Sequence, residues 1–184
     1  MKTIPVRDLI VPLSEYATIS IDATLLEAVE ALEKAQEDFD ATKYRHRAVL
    51  VLDQNGQVVG KIGQLGALRA LEPKYLEIGE SQAFSRLGFD ASFIKNTFEQ
   101  YRLFDKPLDD LCGKAAALKA GDCMDKLGEN EFIGIEATLG MAIHQLVMGH
   151  HQSLMVKDGA SIVGVLRLTD VFVAVFHALK GCGV

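Results

Sequence analysis

Asp170 follows Arg167 and Thr169 at the end of a β-branched run, Ile162-Val163-Gly164-Val165-Leu166, and opens the apolar stretch Val-Phe-Val-Ala-Val-Phe. An acid placed there sits where strand gives way to helix. A helix start exposes unpaired backbone N–H groups and a partial positive charge, so a phosphate finds donors at that point. A carboxylate at the same start can accept both hydroxyls of a ribose, as in dinucleotide sites. Taken alone, Thr169 or Asp170 is more simply an N-cap.

The elements that must position these residues come from a chain of 184 residues, enough for one domain or two small ones with a real core. A net charge of −6 and a pI near 5.4 argue against nucleic acid, whose binders usually carry a clustered basic face. Cys112, Cys123 and Cys182 are scattered and odd in number, with no CxxC pair, which fits a reduced cytoplasm. The N-terminus has no apolar signal core, and no window approaches ~20 uninterrupted apolar residues. The expectation is a soluble cytoplasmic protein, away from membranes.

The chain repeats itself. Residues 19–32, ISIDATLLEAVEAL, recur as 133–146, IGIEATLGMAIHQL. Upstream, 6–10 align with 120–124. Downstream, His46, Asp53 and Val59-Gly60 fall opposite His151, Asp158 and Val163-Gly164. The first copy carries about ten extra residues, around 36–44, between its helix and its next strand. Within each copy, a short alternating strand leads to Thr24 or Thr138 and then an apolar-striped helix. Thr24 with Glu27 is a capping-box pattern; Met141 removes the reciprocal acid from the second copy. Residues 48–52 and 57–62 flank the turn Asp53-Gln54-Asn55-Gly56 as a β-hairpin, and 154–156 with 161–166 repeat it. Last helices follow at 66–71 and 170–179. The order is β-α-β-β-α, twice.

This order, the hairpin ending in glycine and the acid opening the last helix resemble the cystathionine β-synthase (CBS) domain. Such domains usually come as a tandem pair, the Bateman module. The resemblance implies an α/β (α+β) fold of two repeats, 1–72 and 118–184, packed as a pseudo-twofold pair with 73–117 inserted between them. It further implies a regulatory module, not an enzyme, that senses an adenine-containing ligand: AMP, ADP, ATP or S-adenosylmethionine. In the family, the acid takes the ribose hydroxyls and a Ser or Thr three residues earlier approaches the phosphates. Carried over, the acid is Asp170 and the hydroxyl position holds Arg167, whose guanidinium can still bind phosphate. In the first copy Gly66 stands for the acid and Gly63 for the hydroxyl. The expectation is a single competent site around Asp170, with Arg167 and Thr169 near the phosphates.

The resemblance also implies an apolar adenine pocket drawn from 124–133 and 153–155, with Ile133 and Met155 as base contacts, each more simply read as plain core. His151, beside His150, could reach phosphate. His144, His150 and His151 have no Cys or carboxylate at ligand spacing, so no metal and no resident cofactor are expected. No catalytic motif appears: no GxSxG, Walker loop or HExxH.

Residues 73–117 are too long for a bare connector. Seven of the chain's thirteen aromatics lie between Tyr75 and Phe104, so the segment should carry real structure. Two or three helices are expected, one after Asp90 and one after Pro107. They should pack on the pair or offer a surface to a second copy, making a homodimer, or to a protein target. The alternative to a sensor is a structural module that dimerises without ligand.

Overall fold

The computed structural model describes residues 4–37, 47–72, 74–75, 78, 91–105 and 108–180. The chain enters through a 3-10 turn, Val6–Asp8, and a two-residue strand β1 (Val11–Pro12). The first unit follows: β2 (Thr18–Ser20), α1 (Leu25–Glu37), β3 (Ala48–Leu52), β4 (Val58–Gly63) and α2 (Gln64–Leu71). Helices α3 (Ala91–Tyr101) and α4 (Leu108–Ala117) belong to the insertion. Then come the short helix α5 (Ala120–Cys123), β5 (Asp125–Lys126), β6 (Phe132–Gly134), α6 (Leu139–Gly149), β7 (Ser153–Asp158), β8 (Ser161–Arg167) and α7 (Leu168–Lys180). The β-α-β-β-α order is therefore realised twice.

Local chemistry explains these boundaries. At the start of α1 the Thr24 amide donates to Glu27 Oε2 at 2.6 Å, and the Glu27 amide donates to Thr24 Oγ1 at 3.2 Å. At α6, Thr138 Oγ1 accepts from the Met141 amide at 3.3 Å without a returning acid. Asp53 Oδ1 accepts the amides of Asn55 and Gln57, both at 2.8 Å, and so closes the first hairpin turn. Gly56 and Gly159 complete the two turns at φ values of 75° and 58°, which a side chain would strain. Of the extra stretch around 36–44 in the first copy, residues 38–44 lie outside the described residues.

Two four-stranded sheets result, ordered β2-β3-β4-β5 and β1-β8-β7-β6. Within each, the first strand of the unit runs parallel to the second, which pairs antiparallel with the third. The outer strand comes from elsewhere: β1, at the head of the first repeat, pairs with β8, and β5, at the head of the second, pairs with β4. The leading segments are thus exchanged, and the exchange is reciprocal bond by bond. Val6 N–H donates to Ala137 O at 2.8 Å, as Ala120 N–H donates to Ala23 O at 2.7 Å. Leu139 N–H reaches Ile4 O at 2.8 Å, as Leu25 N–H reaches Leu118 O at 2.8 Å.

This crossing accounts for the matched glycines Gly60 and Gly164. A Cβ on Gly164 would stand 2.5 Å from Val11 O, and one on Gly60 would stand 3.0 Å from Asp125 O and collide with Met124. A side chain there would push the crossing strand off the sheet.

The exchange also sets the cores. Val6 is fully buried among Ile133, Leu139, Leu146, Leu154 and Leu166 of the second unit. Ala120 is fully buried among Leu25, Val49 and Ile62 of the first. A third cluster joins the units: Leu50 of β3 and Met155 of β7 meet Tyr16 and Val165. The described part of the insertion packs on the first unit. Helix α4 lies against α1 and α2. Glu72, 6% exposed, accepts the Phe104 amide at 3.0 Å. Lys74 donates to the carbonyls of Tyr101 and Arg102 at 2.8 and 3.0 Å. Phe84 and Phe89 lie outside the described residues; Ile94 and Phe98 are exposed. Among the described residues, no helix is long and apolar enough to cross a membrane.

Candidate functional site

The two strand-to-helix junctions, β4–α2 and β8–α7, are pinned alike. Gln64 N–H donates to Arg47 O at 3.3 Å, and Leu168 N–H donates to Gln152 O at 2.9 Å. Both junctions line one cleft of about 810 Å³ between the units, a volume suited to a nucleotide-sized ligand. Its walls include Lys61, Gly63, Gln64 and Gly66 from one side, and Arg167, Leu168, Thr169 and Phe172 from the other. Arg47, His150, His151 and Ser153 contribute from the strand entrances, Asp125 and Glu131 from the segment leading into the second unit, and Tyr16 from the first.

Of the residues singled out in the sequence, Arg167, Thr169 and His151 are brought together on this wall. Asp170 is adjacent but turned away: its carboxylate is held bidentately by Arg167, with Nε at 2.6 Å from Oδ2 and Nη2 at 2.7 Å from Oδ1. Both side chains are largely buried, 11% and 17% exposed. Tyr16 lies in the field of the pair. Burial pushes its phenol up to about 12, Arg167 pulling it down and Asp170 raising it further. Ile133 and Met155 stand elsewhere. Ile133 packs in the second unit's core at 5% exposure, and Met155 in the inter-unit cluster at 0%. The plain-core reading fits both positions, because β6 and β7 aim these side chains into packed layers and not at the cleft.

His151 lines the cleft and has a buried Nε2 with no hydrogen-bond partner among the described residues, its ring packed against Gly149. A buried polar atom of this kind costs free energy until something pairs with it. Nearby, Lys61 of β4 forms an ion pair with Glu131 that ties the two units together. Burial pushes the Glu131 carboxyl up, but the Lys61 ammonium and the Gly128 amide outweigh it and hold Glu131 below the usual range, with His151 assisting.

Sequence reasoning did not single out Lys61, Arg47, Glu131 or Asp125. Asp125 had a signal: in the repeat it falls opposite Val11, an acid matched to a valine on an exchanged strand. In the structure its Oδ2 lies 3.3 Å from where a Cβ on Gly66 would stand.

Residues 6–72 match the CBS domain family. The solved structures extend the likeness over the rest. CBSX2 from Arabidopsis thaliana superposes with a TM-score of 0.61 at 17% identity, over 96% of this chain and 97% of that one. The chain folds as a tandem CBS pair. A crystal structure of CBSX2 in complex with AMP gives a TM-score of 0.60 at 19% identity, covering 95% of this chain and 97% of that one. The CBS domain of a bacterial CNNM/CorC family Mg²⁺ transporter, in complex with ATP, gives 0.59 at 13% identity, covering 93% and 86%. No curated protein matches the sequence. In this CBS pair the acid position of the second repeat is filled by a clamped Asp170, and that of the first by Gly66 with Asp125 over it.

Proposed function

We propose that this CBS pair is a regulatory module, not a catalyst, that binds an adenine nucleotide in the inter-unit cleft and signals by a change of shape or assembly. The observation that carries the reading is the second-repeat wall. Arg167 and Thr169 face a cleft of nucleotide size at the start of α7, with the acid Asp170 directly behind them. Helix-start amides, a guanidinium and a hydroxyl form a donor set for phosphate. The carboxylate supplies the acceptor for a ribose once Arg167 turns to the phosphate. That AMP and ATP occupy the structurally similar proteins supports this ligand class.

Binding to the folded state raises its melting temperature by mass action. Titrating the protein with ATP, ADP, AMP and S-adenosylmethionine should give a concentration-dependent rise with at least one nucleotide. Asp170→Ala should weaken that rise. No shift with any of the four at millimolar concentration would sink the sensor reading. The chain would then be better described as a ligand-free interaction module, a reading favoured by the exposed apolar faces of α6 and α7. Met148, Phe172 and Leu179 are each more than 60% exposed there, enough to seat a second copy or another partner.

A further inference from the structure

The two halves of the cleft carry their acids on different elements. In the second repeat the acid is on the helix, at Asp170, and the exchanged strand β1 brings Val11 beside that junction. In the first repeat the helix has Gly66, buried and without a side chain, and the matching place on the exchanged strand β5 is Asp125. Its Oδ2 lies 3.3 Å from the point where a Gly66 Cβ would be. A carboxylate oxygen therefore stands directly against the helix position where the second repeat carries its acid.

We infer that the first-repeat half of the cleft also takes a ribose, and that Asp125, supplied by the second unit's leading strand, is its diol acceptor. The inference rests on the nucleotide reading above and changes its geometry. Asp125 lines the cleft and its side chain is 51% exposed. Its other oxygen, Oδ1, stands 4.0 Å from the Arg69 guanidinium, too long for a tight clamp. Asp170, by contrast, is gripped at both oxygens. Gly66 is part of the device, since any side chain at 66 would crowd Asp125. A ribonucleotide has the cis-diol that a carboxylate with two oxygens can accept; a 2′-deoxyribonucleotide does not.

Calorimetric titration of the full chain with AMP and with 2′-deoxy-AMP tests this. Asp170→Asn leaves Arg167 an amide oxygen while removing the other diol-accepting carboxylate, so binding that remains reports on the first-repeat half. That variant should still bind AMP and prefer it over 2′-deoxy-AMP by about tenfold, the scale of one charge-assisted hydrogen bond. Adding Asp125→Ala should weaken AMP by about tenfold or more and erase the preference. Adding Gly66→Asp to that pair of changes returns the acid to the helix and should restore both. A preference that survives Asp125→Ala in a folded chain overturns the inference, as does complete loss of AMP on Asp170→Asn alone. If wild type binds no adenine nucleotide, the nucleotide reading itself fails.

Discussion

Arg167 takes the place of the hydroxyl that the family resemblance expects, and this single change alters what Asp170 can do. A bidentate guanidinium–carboxylate pair with little exposure satisfies both partners, so a ligand gains the acid only by giving the guanidinium something else. A phosphate does that; an uncharged nucleoside does not, and a sulfonium adds like charge beside Arg167. Wild type is therefore expected to bind AMP at least about tenfold more tightly than adenosine, the scale of a charge-assisted hydrogen bond. In Arg167→Ser the gap should narrow because adenosine binding improves. Dissociation constants for the two ligands in both proteins decide it, and equal affinity in wild type would sink the idea. The site was only partly legible from these residues. Asp170, Thr169 and Arg167 stood out at a strand-to-helix junction to which the family resemblance attaches a role, with Gly66 and Gly63 opposite Asp170 and Arg167 for contrast. The clamp did not, since sequence shows an i to i+3 spacing without showing which rotamer closes it.

At the level of elements, the insertion is fastened through Glu72, the last residue before it. Burial pushes this carboxyl up, but the Phe104 and Lys74 amides and the Lys74 and Lys114 ammonium groups outweigh that and hold it below the ordinary glutamate value of 4.5. Glu131 at the cleft is held below the same value. Unfolded, both carboxylates regain their ordinary affinity for protons, so the unfolded chain binds more protons in acid. The stability they contribute is present above pH 4.5 and is lost as pH falls through their folded values. Glu72→Gln should flatten that acid limb in a plot of melting temperature against pH; an unchanged limb would show that Glu72 is not a fastening. Replacing Glu72 by Ala takes the acceptor from the part-buried Phe104 amide, at a cost of about 1 kcal/mol read from the melting temperature. Helices α3 and α4 were legible from helical spacing and from Pro107. Their attachment was not, because Glu72 and Phe104 are joined by a backbone contact that no residue pattern announces.

For the whole molecule, the β-α-β-β-α order followed from periodicity and self-similarity, since strands, capping residues and turn glycines act locally. The exchange of leading segments escaped that reading. Residues 6–10 and 120–124 visibly matched each other, but nothing local says that Val6 fills the core of the other repeat. The boundaries 1–72 and 118–184 divide the chain in sequence, while each folded core crosses them. Neither repeat should then fold alone. Expressed separately, 1–72 lacks Ala120 and β5, and 118–184 lacks Val6 and β1. Each fragment is expected to lose cooperative thermal unfolding, and mixing the two should restore it. A sharp transition in either fragment by itself would refute the expectation.

The reciprocal exchange also carries a consequence for ancestry. A lone repeat with the same architecture could complete its core only by lending its leading strand to an identical chain, and every substitution would then appear in both halves at once. A helix acid could not become glycine while a strand residue became acidic in just one half. Joining two copies end to end removes that constraint, because each position then exists twice and can drift separately. Gly66 beneath Asp125 in one half, against Asp170 with Val11 on the exchanged strand in the other, is a difference that requires the two halves to be encoded separately, as they are in this chain.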